Sequence, residues 1–157
     1  MILRFREKPV FTITSVNNIK SNRRLTDFIK IIGRNTNTKD VLYFQRNKIN
    51  LSNEISTYAN DRKNIFGLCI ATNFTKNVIW CDIIFVDNNF RRQGIGTAIF
   101  KGLLDHAYKN HINNILTASV VSDKGTRKFI KRLGFRKVGR IKQFLNKKDY
   151  IIWEYPL

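Results

Sequence analysis

The chain has 157 residues, 43% of them apolar, and its 29 lysines and arginines outnumber its 11 acidic residues to give a net charge of +18. This length and composition predict one domain over residues 1–157, with a core that needs no disulfides or metal ions. No apolar run approaches the roughly 20 residues that span a bilayer, and charged residues interrupt the N-terminal segment, where a signal peptide would be apolar. We therefore expect a cytoplasmic protein with no membrane association, whose surface attracts polyanions in a salt-dependent way.

The first third of the chain alternates strand and helix patterns. Residues 11–14 alternate as a short strand. Four apolar residues then recur at helical spacing: Leu25, Phe28, Ile29 and Ile32. We expect this helix to end at Gly33 and a strand to follow at residues 41–44. Residues 51–58 have the pattern of a short helix that begins near Ser52.

Two longer strand patterns follow and form the predicted centre of the sheet. They cover residues 65–74 and 78–86, and the short polar stretch 75–77 between them predicts an antiparallel hairpin. The two cysteines, Cys69 and Cys81, lie in these apolar runs and have no spacing typical of a metal site. We expect both to be reduced core residues, with no metal bound.

The second half of the chain contains the clearest helix pattern. Five residues mark its apolar face, up to about residue 110: Ala98, Ile99, Leu103, Leu104 and Ala107. A strand pattern at 115–121 precedes a second helix, which Asp123 caps and Gly134 ends. Two strand patterns close the chain, at 135–144 and 150–155. This order predicts an α/β domain, more closely an α+β one, with a mixed sheet.

The last third of the chain is strongly basic. Between Lys124 and Lys148 basic residues recur throughout, and no acidic residue occurs. Two interpretations stay open with equal weight. These residues form either a solvated surface in a chain rich in Lys, Asn and Ile, or a face that binds nucleic acid, an acidic protein surface or a phosphorylated small molecule.

Bare backbone and positive charge meet where the strand ending at Val86 gives way to a helix. The first N–H groups of a helix lack partners within it and lie at its positive end, so they attract anions. The segment 91–97 reads Arg-Arg-Gln-Gly-Ile-Gly-Thr: its glycines leave room for a phosphate, its arginines add charge, and Thr97 adds a hydroxyl. Ile99 replaces the third glycine of a dinucleotide motif, and the Gly-Lys-Ser/Thr of a P-loop does not occur, so we expect neither fold.

The segment 91–97, which follows the strand ending at Val86, is called the corner below. Its residues 91–96 resemble the acyl-CoA-binding motif of the GNAT acetyltransferase superfamily, Arg/Gln-x-x-Gly-x-Gly/Ala. The stretch 122–135, SDKGTRKFIKRLGF, is similar to the family's second signature, a helix ending in Leu-Gly-Phe beside the cofactor. The resemblance covers about residues 65–157. It implies a GNAT-like fold, with a central, mostly antiparallel sheet flanked by helices. It also implies that the strand ending at Val86 splays from its neighbour, so that coenzyme A lies in the gap.

From the resemblance we expect acetyl-CoA as co-substrate. The implied cofactor contacts are Phe85, Val86, Arg91, Arg92, Gln93, Gly94, Ile95, Gly96, Thr97, Asp123 and Lys128. Relatives often hold cofactor phosphates from the second helix, where Lys128 and Lys131 stand in this chain. A solvated helix face explains these two lysines at least as well.

Acetyl transfer to an amine needs a base for the amine, a donor that polarises the thioester carbonyl, and an acid for the leaving thiolate. The resemblance implies direct attack, with the backbone amide of Val86 as the donor and no nucleophilic role for Cys81. Asp82 is the candidate base, because it precedes Val86 by four residues and strand alternation puts both on one face, with Cys81 on the other. An ordinary polar residue, or a partner for one of the many cations, accounts for Asp82 about equally well.

The proton donor does not follow from the family pattern. Ile130 stands where relatives often carry a tyrosine acid, and Asp123 where they often carry asparagine. Tyr150 and Tyr155 on the closing strand are candidate substitutes, and Tyr150 is the one we retain, although structural tyrosines are more common. Both histidines are expected on a helix surface or end, and neither is a catalytic candidate.

The sequence therefore predicts an N-acetyltransferase that moves an acetyl group from acetyl-CoA to a primary amine. The positive charge disfavours a free polyamine or aminoglycoside and favours an acceptor on or near nucleic acid, such as a nucleic-acid-bound protein. Two alternatives stay open: a non-catalytic acyl-CoA sensor, which Ile130 favours, and a basic nucleic-acid-binding module without a cofactor. Whether the last strands form a homodimer is also left open.

Overall fold

The computed structural model describes residues 10–17, 19–35 and 54–157. Its helices and strands, in chain order, are β1 (Thr12–Val16), α1 (Arg23–Asn35), β2 (Glu54–Asn60), β3 (Ile65–Thr75), β4 (Val78–Val86), α2 (Ile95–Lys109), β5 (Asn114–Val120), α3 (Lys124–Leu133), β6 (Arg136–Leu145) and β7 (Lys148–Pro156). Short 3₁₀ turns at Ile19–Ser21 and Asn88–Phe90 precede α1 and α2. The strand predicted at residues 41–44 lies outside the described residues.

The strands form one seven-stranded sheet in the order β1-β2-β3-β4-β5-β7-β6. Neighbouring strands are antiparallel except for β4 and β5, which run parallel. The predicted mixed sheet is therefore confirmed, and so is the β3–β4 hairpin near its centre. The parallel pair forms because α2 carries the chain back across the sheet between β4 and β5.

Apolar side chains cover both faces of the sheet. The larger cluster includes Ile99 and Leu103 of α2, Ile130 of α3 and Trp153 of β7. The smaller cluster includes Leu25 of α1, with Leu68 of β3 and other strand residues. The face of the sheet on the larger cluster is called the α2 face below, and the face on the smaller cluster the α1 face.

The helix ends mostly follow the predicted caps. The Asp123 carboxylate accepts a hydrogen bond from the backbone N–H of Thr126 at 2.9 Å, and Gly134 ends α3 in the left-handed conformation, with φ +105°. Helix α1, by contrast, continues past Gly33 to Asn35. Within the described part of the chain, every helix falls short of the length and apolarity needed to cross a membrane.

The helix predicted at residues 51–58 is wrong, because the described part of this segment is strand β2. Residues 55–59 are all buried, since apolar clusters cover both faces of β2. Three apolar residues consequently recur at helix-like spacing: Ile55, Tyr58 and Ala59. The polar residues between them are satisfied internally, because Ser56 donates to a β3 carbonyl at 3.0 Å and Thr57 to an α2 carbonyl at 3.1 Å.

Candidate active site

Strands β4 and β5 are paired only at their beginnings. Their parallel register ends at Trp80 and Leu116, although β4 continues for six residues and β5 for four. Where the strands part, the buried Thr117 hydroxyl donates to the carbonyl oxygen of Cys81 at 2.9 Å. The expected splay is present, and a gap opens between the C-terminal halves of two central strands.

A β-bulge interrupts β4 at Asp82. The register of β3 with β4 passes directly from Ile70 opposite Ile83 to Ala71 opposite Cys81, which leaves Asp82 as the extra residue. A bulge of this kind interrupts the alternation of side chains between the two faces of the sheet, so residues before and after it do not follow one pattern. The face of a β4 side chain therefore has to be read from its contacts.

Those contacts place Asp82 on the opposite face from Val86. Cys81 and Val86 both pack in the larger cluster on the α2 face. Asp82 accepts a hydrogen bond from the Thr72 hydroxyl at 3.1 Å, and Thr72 shares the α1 face with Ile70 by the regular alternation of β3. The prediction that Asp82 and Val86 share a face is wrong because of the bulge, whereas Cys81 does lie on the other side from Asp82.

The two cysteines are free thiols in the core, as expected. Their sulfur atoms lie 3.5 Å apart across β3 and β4. The hydrogen bond with Cys69, together with burial, raises the pKa of the Cys81 thiol well above its ordinary value. Cys81 is therefore held as the neutral thiol, which is a poor nucleophile.

The two candidate tyrosines lie at opposite ends of β7. Tyr150 is buried opposite Val120, the last residue of β5, and its ring contacts Phe144. Its neighbour Ile151 packs in the larger cluster, so alternation puts Tyr150 on the α1 face, the face of Asp82. Tyr155 lies at the far end, in an aromatic cluster away from the gap.

The two glycines of the corner do different things. Gly94 precedes α2 with φ +80°, and a Cβ there would meet nothing within 4 Å, so it supplies a left-handed turn facing open space. Gly96, in the first turn of α2, lies against α3: a Cβ there would come within 3.0 Å of the Phe129 ring and 3.5 Å of a Val86 methyl. Gly96 thus lets α3 approach α2, in addition to leaving backbone bare.

Some side chains of the corner hydrogen-bond to backbone carbonyls that precede it, and others are exposed to solvent. The Arg91 guanidinium donates to the carbonyl oxygen of Val86 at 2.9 Å and lies over the Phe85 ring at 5.8 Å. Gln93 reaches back to the Asn89 carbonyl. Arg92 and Thr97 are exposed, and α2 begins without a side-chain cap. Of the two arginines, Arg92 is the one left for a ligand.

Of the two predicted cofactor residues at α3, one has a structural partner and the other is exposed to solvent. The Asp123 carboxylate binds both the backbone N–H and the hydroxyl of Thr126, so it holds the helix start. Lys128 is exposed. Ile130 is buried in the larger cluster, as a core residue.

Three residues that shape the site were missed by the sequence reasoning: Thr72, Thr117 and Phe129. Thr72 holds Asp82, Thr117 holds the point where β4 and β5 part, and Phe129 packs on Gly96. A signal existed for Thr117, a hydroxyl residue in the middle of an apolar strand pattern, which when buried needs a partner. The others depend on long-range contacts that sequence spacing does not encode.

His106 supplies a test of the structure through pH. Burial, and to a lesser extent Lys109, lowers its pKa from the ordinary value near 6.5. The unfolded chain therefore takes up this proton at higher pH than the folded chain, and stability should fall as pH drops through 6.5 toward the folded pKa. His106→Gln should flatten the dependence of melting temperature on pH between about 7 and 5. An unchanged pH dependence in this variant would contradict the burial of His106.

The β4–β5 pairing thus ends next to a helix start whose N–H groups have no side-chain cap, an arrangement that favours anion binding. A family model described as an acetyltransferase (GNAT) domain matches residues 37–146, which are 110 of the 157 residues. The chain therefore belongs to the GNAT acetyltransferase family, and it is an acetyl-CoA-dependent acyltransferase. No curated protein matches the sequence significantly.

Solved structures support the same fold. A probable acetyltransferase from Staphylococcus epidermidis has a TM-score of 0.75 at 14% identity, with 94% of this chain and 99% of that chain covered. The ribosomal-protein-S18-alanine N-acetyltransferase from Escherichia coli has a TM-score of 0.73 at 15% identity, with 94% of each chain covered. A GNAT family acetyltransferase from Elizabethkingia anophelis with acetyl-CoA bound has a TM-score of 0.72 at 18% identity, with 92% and 98% covered.

Proposed function

We propose that this protein is an N-acetyltransferase that binds acetyl-CoA between β4 and β5 and transfers the acetyl group to a primary amine by direct attack. The observation that carries the proposal is the gap beyond Trp80 and Leu116, next to the uncapped first turn of α2. The residues present fit this co-substrate, because Gly94 faces open space and Arg92 is exposed beside it. When bound, acetyl-CoA supplies an activated thioester.

Groups of the protein bind the phosphates of acetyl-CoA and polarise its thioester carbonyl. Backbone N–H groups in the first turn of α2, with Arg92, bind the pyrophosphate. Lys128 on α3 offers a further cation for phosphate. Arg91 fixes the end of β4 through the carbonyl of Val86, which positions the backbone amide of Val86 to polarise the thioester carbonyl.

Asp82 and Tyr150 lie on the α1 face, on strands that flank β5. We place the amine on this face for that reason, since a gap between strands is open to both faces. Asp82 accepts a proton from the amine, directly or through water, and the Thr72 hydroxyl orients its carboxylate. Tyr150 protonates the leaving thiolate. It takes the role of the tyrosine that relatives often carry at the position of Ile130.

The acceptor is an amine on or near nucleic acid, such as that of a nucleic-acid-bound protein. A net charge of +18 repels a free cationic amine and attracts a polyanion that carries one.

The first test is a thermal melt with acetyl-CoA, compared with ATP and heparin at about 0.2 M salt, because a basic protein binds many polyanions. At about 100 times the dissociation constant, acetyl-CoA should add about 2.7 kcal/mol, a shift of roughly 5 to 10 °C for this size. Equal shifts with all three ligands, or none, would contradict the cofactor site. Binding without acceptor-dependent release of CoA thiol would instead identify a sensor.

Removing the carboxylate of Asp82 should slow turnover without weakening acetyl-CoA binding. The Asp82→Asn variant keeps the size of the side chain and the contact with Thr72 but loses the proton acceptor. We expect kcat to fall about 10² to 10⁴-fold, with the acetyl-CoA thermal shift preserved. Asp105→Asn, which removes an exposed carboxylate of α2, is the control. Unchanged kcat in Asp82→Asn would remove Asp82 from the mechanism.

A further inference from the structure

Half of the protein's net charge lies in its last fifth. Residues 124–157 contain eleven basic and two acidic residues, which is nine of the eighteen net charges. Both acidic residues already have a partner, since Glu154 pairs with Arg136 and Asp149 with Arg140. The lysines of this segment that form no salt bridge with a described acidic residue include Lys128, Lys131, Lys137, Lys142, Lys147 and Lys148. The hydrogen bond from Arg140 lowers the pKa of the Asp149 carboxyl, and Lys142 is near enough to add to this effect. Lys137 and Lys142 of β6, with Lys147 of the β6–β7 turn, form an anion-attracting line along the edge of the sheet.

Strand β6 adds apolar groups to this line of cations. It is the last strand in the sheet order, and no described strand pairs with its outer edge. Between its cations it exposes Val138, Ile141 and Phe144, at 52%, 40% and 45%. Cations that track a phosphate backbone, interleaved with aromatic groups on which bases stack, are the combination that single-stranded nucleic acids bind.

We propose that β6 and the β6–β7 turn form a binding surface for single-stranded nucleic acid. Phe144 supplies the stacking group, which only unpaired bases can use, and the lysines of β6 and of the β6–β7 turn contact phosphates. The surface borders the candidate active site, because Ile141 of β6 is level with Tyr150 of β7, which is level with Val120 at the end of β5. Two strand spacings are roughly 10 Å, so a polymer on β6 passes close to the β4–β5 gap.

This inference deepens the proposed function. Nucleic-acid binding by β6 does not depend on the acetyltransferase activity, but the role we give to the short distance from β6 to the β4–β5 gap does. In that role, the bound nucleic acid brings the acceptor amine to the gap. A second copy of the chain is a poorer occupant of this edge, because pairing β6 with its equivalent would bring two sets of unpaired lysines together. An anionic membrane attracts the same charges, but it needs a continuous apolar face. Cations separate the three exposed apolar residues along β6.

The test is fluorescence anisotropy with a labelled single-stranded RNA of about 15 nucleotides, over a salt series from about 0.05 to 0.3 M. Lys137→Gln with Lys142→Gln should weaken binding about tenfold and reduce the slope of log affinity against log salt by about 1.4, the value for two lost phosphate contacts. Lys101→Gln with Lys109→Gln removes the same charge from α2 and should change affinity less than about twofold. Equal losses in both pairs, or no saturable binding near 0.15 M salt, would overturn the proposal.

A second variant separates stacking from charge. Phe144→Leu keeps an apolar side chain but loses the ring, so affinity should fall several-fold with the salt slope unchanged, and Phe144→Trp should retain affinity. Equal affinity of Phe144→Leu and wild type would remove stacking from the proposal and overturn it as stated. Vesicles rich in phosphatidylserine that bind through Lys137 and Lys142, without RNA binding, would replace it with a membrane surface.

The same proteins report on the proposed function separately. RNA binding through β6 without an acetyl-CoA thermal shift would support this surface and contradict the acetyltransferase site. An acetyl-CoA shift with no RNA binding would overturn the surface alone. Melting temperatures without ligand confirm that each variant is folded.

Discussion

The Gly96→Glu variant should bind acetyl-CoA about 100-fold more weakly than wild type, a loss of about 2.8 kcal/mol. The new carboxylate would lie in the first turn of α2, where we propose that backbone N–H groups and Arg92 bind the pyrophosphate, and it would repel that anion. Its Cβ would also press on the Phe129 ring at 3.0 Å, a collision that should cost about 1 to 3 kcal/mol of stability. Titration calorimetry with acetyl-CoA measures the first effect, and the melting temperature without ligand measures the second.

Two further variants separate these effects. Gly139→Glu makes the same change of charge on β6, where a Cβ has only a contact at 4.0 Å, and it should leave acetyl-CoA affinity intact. Adding Phe129→Leu to Gly96→Glu removes the ring that blocks the new side chain, so it should recover stability but not affinity. If Gly96→Glu binds as tightly as wild type, the phosphates do not lie at this corner.

The elements around the corner could be predicted from the sequence because local signals specify them. Asp123 caps α3, and Gly134 ends it in the left-handed conformation, as predicted. Each of these signals acts through the backbone within a few residues, so its effect does not depend on long-range contacts. The hairpin of β3 and β4 is local in the same sense.

Strand β2 and the face of Asp82 could not be predicted, and the reasons differ. β2 is buried on both faces, so its apolar residues do not alternate, and a helix-like spacing remains. The face of Asp82 depends on a bulge that only pairing with β3 reveals. Alternation holds for an unbroken ladder, and one extra residue moves every side chain beyond it to the other face.

The bulge changes the chemical argument. With unbroken alternation, Asp82 would lie on the face of Val86, the α2 face, beside the cofactor. The bulge puts it on the α1 face, which Tyr150 shares on the far side of β5. In the proposed mechanism, the amine therefore approaches from the α1 face, and the α2 face is left to acetyl-CoA.

The Thr117→Val variant should lose about 1 to 3 kcal/mol of stability, because it removes the buried hydrogen bond that the Thr117 hydroxyl donates to the Cys81 carbonyl. Valine has nearly the same shape as threonine, so the loss would report the hydroxyl and not a cavity. Thr117 is 8% exposed, and its bond joins β4 to β5 where their backbone pairing has ended. Urea unfolding of wild type and variant measures the difference.

Because that bond lies where β4 and β5 part, we expect Thr117→Val also to raise the KM for acetyl-CoA, and Thr117→Ser, which keeps the hydroxyl, not to do so. Thr12→Val is the matched control, since it removes an exposed hydroxyl that donates to the Asn60 carbonyl at 3.3 Å, and it should cost less than about 0.5 kcal/mol. A stability loss in Thr117→Val with unchanged KM would make the bond structural only. Equal stability of Thr117→Val and wild type would mean that the Cys81 carbonyl finds another donor, and that the gap does not depend on Thr117.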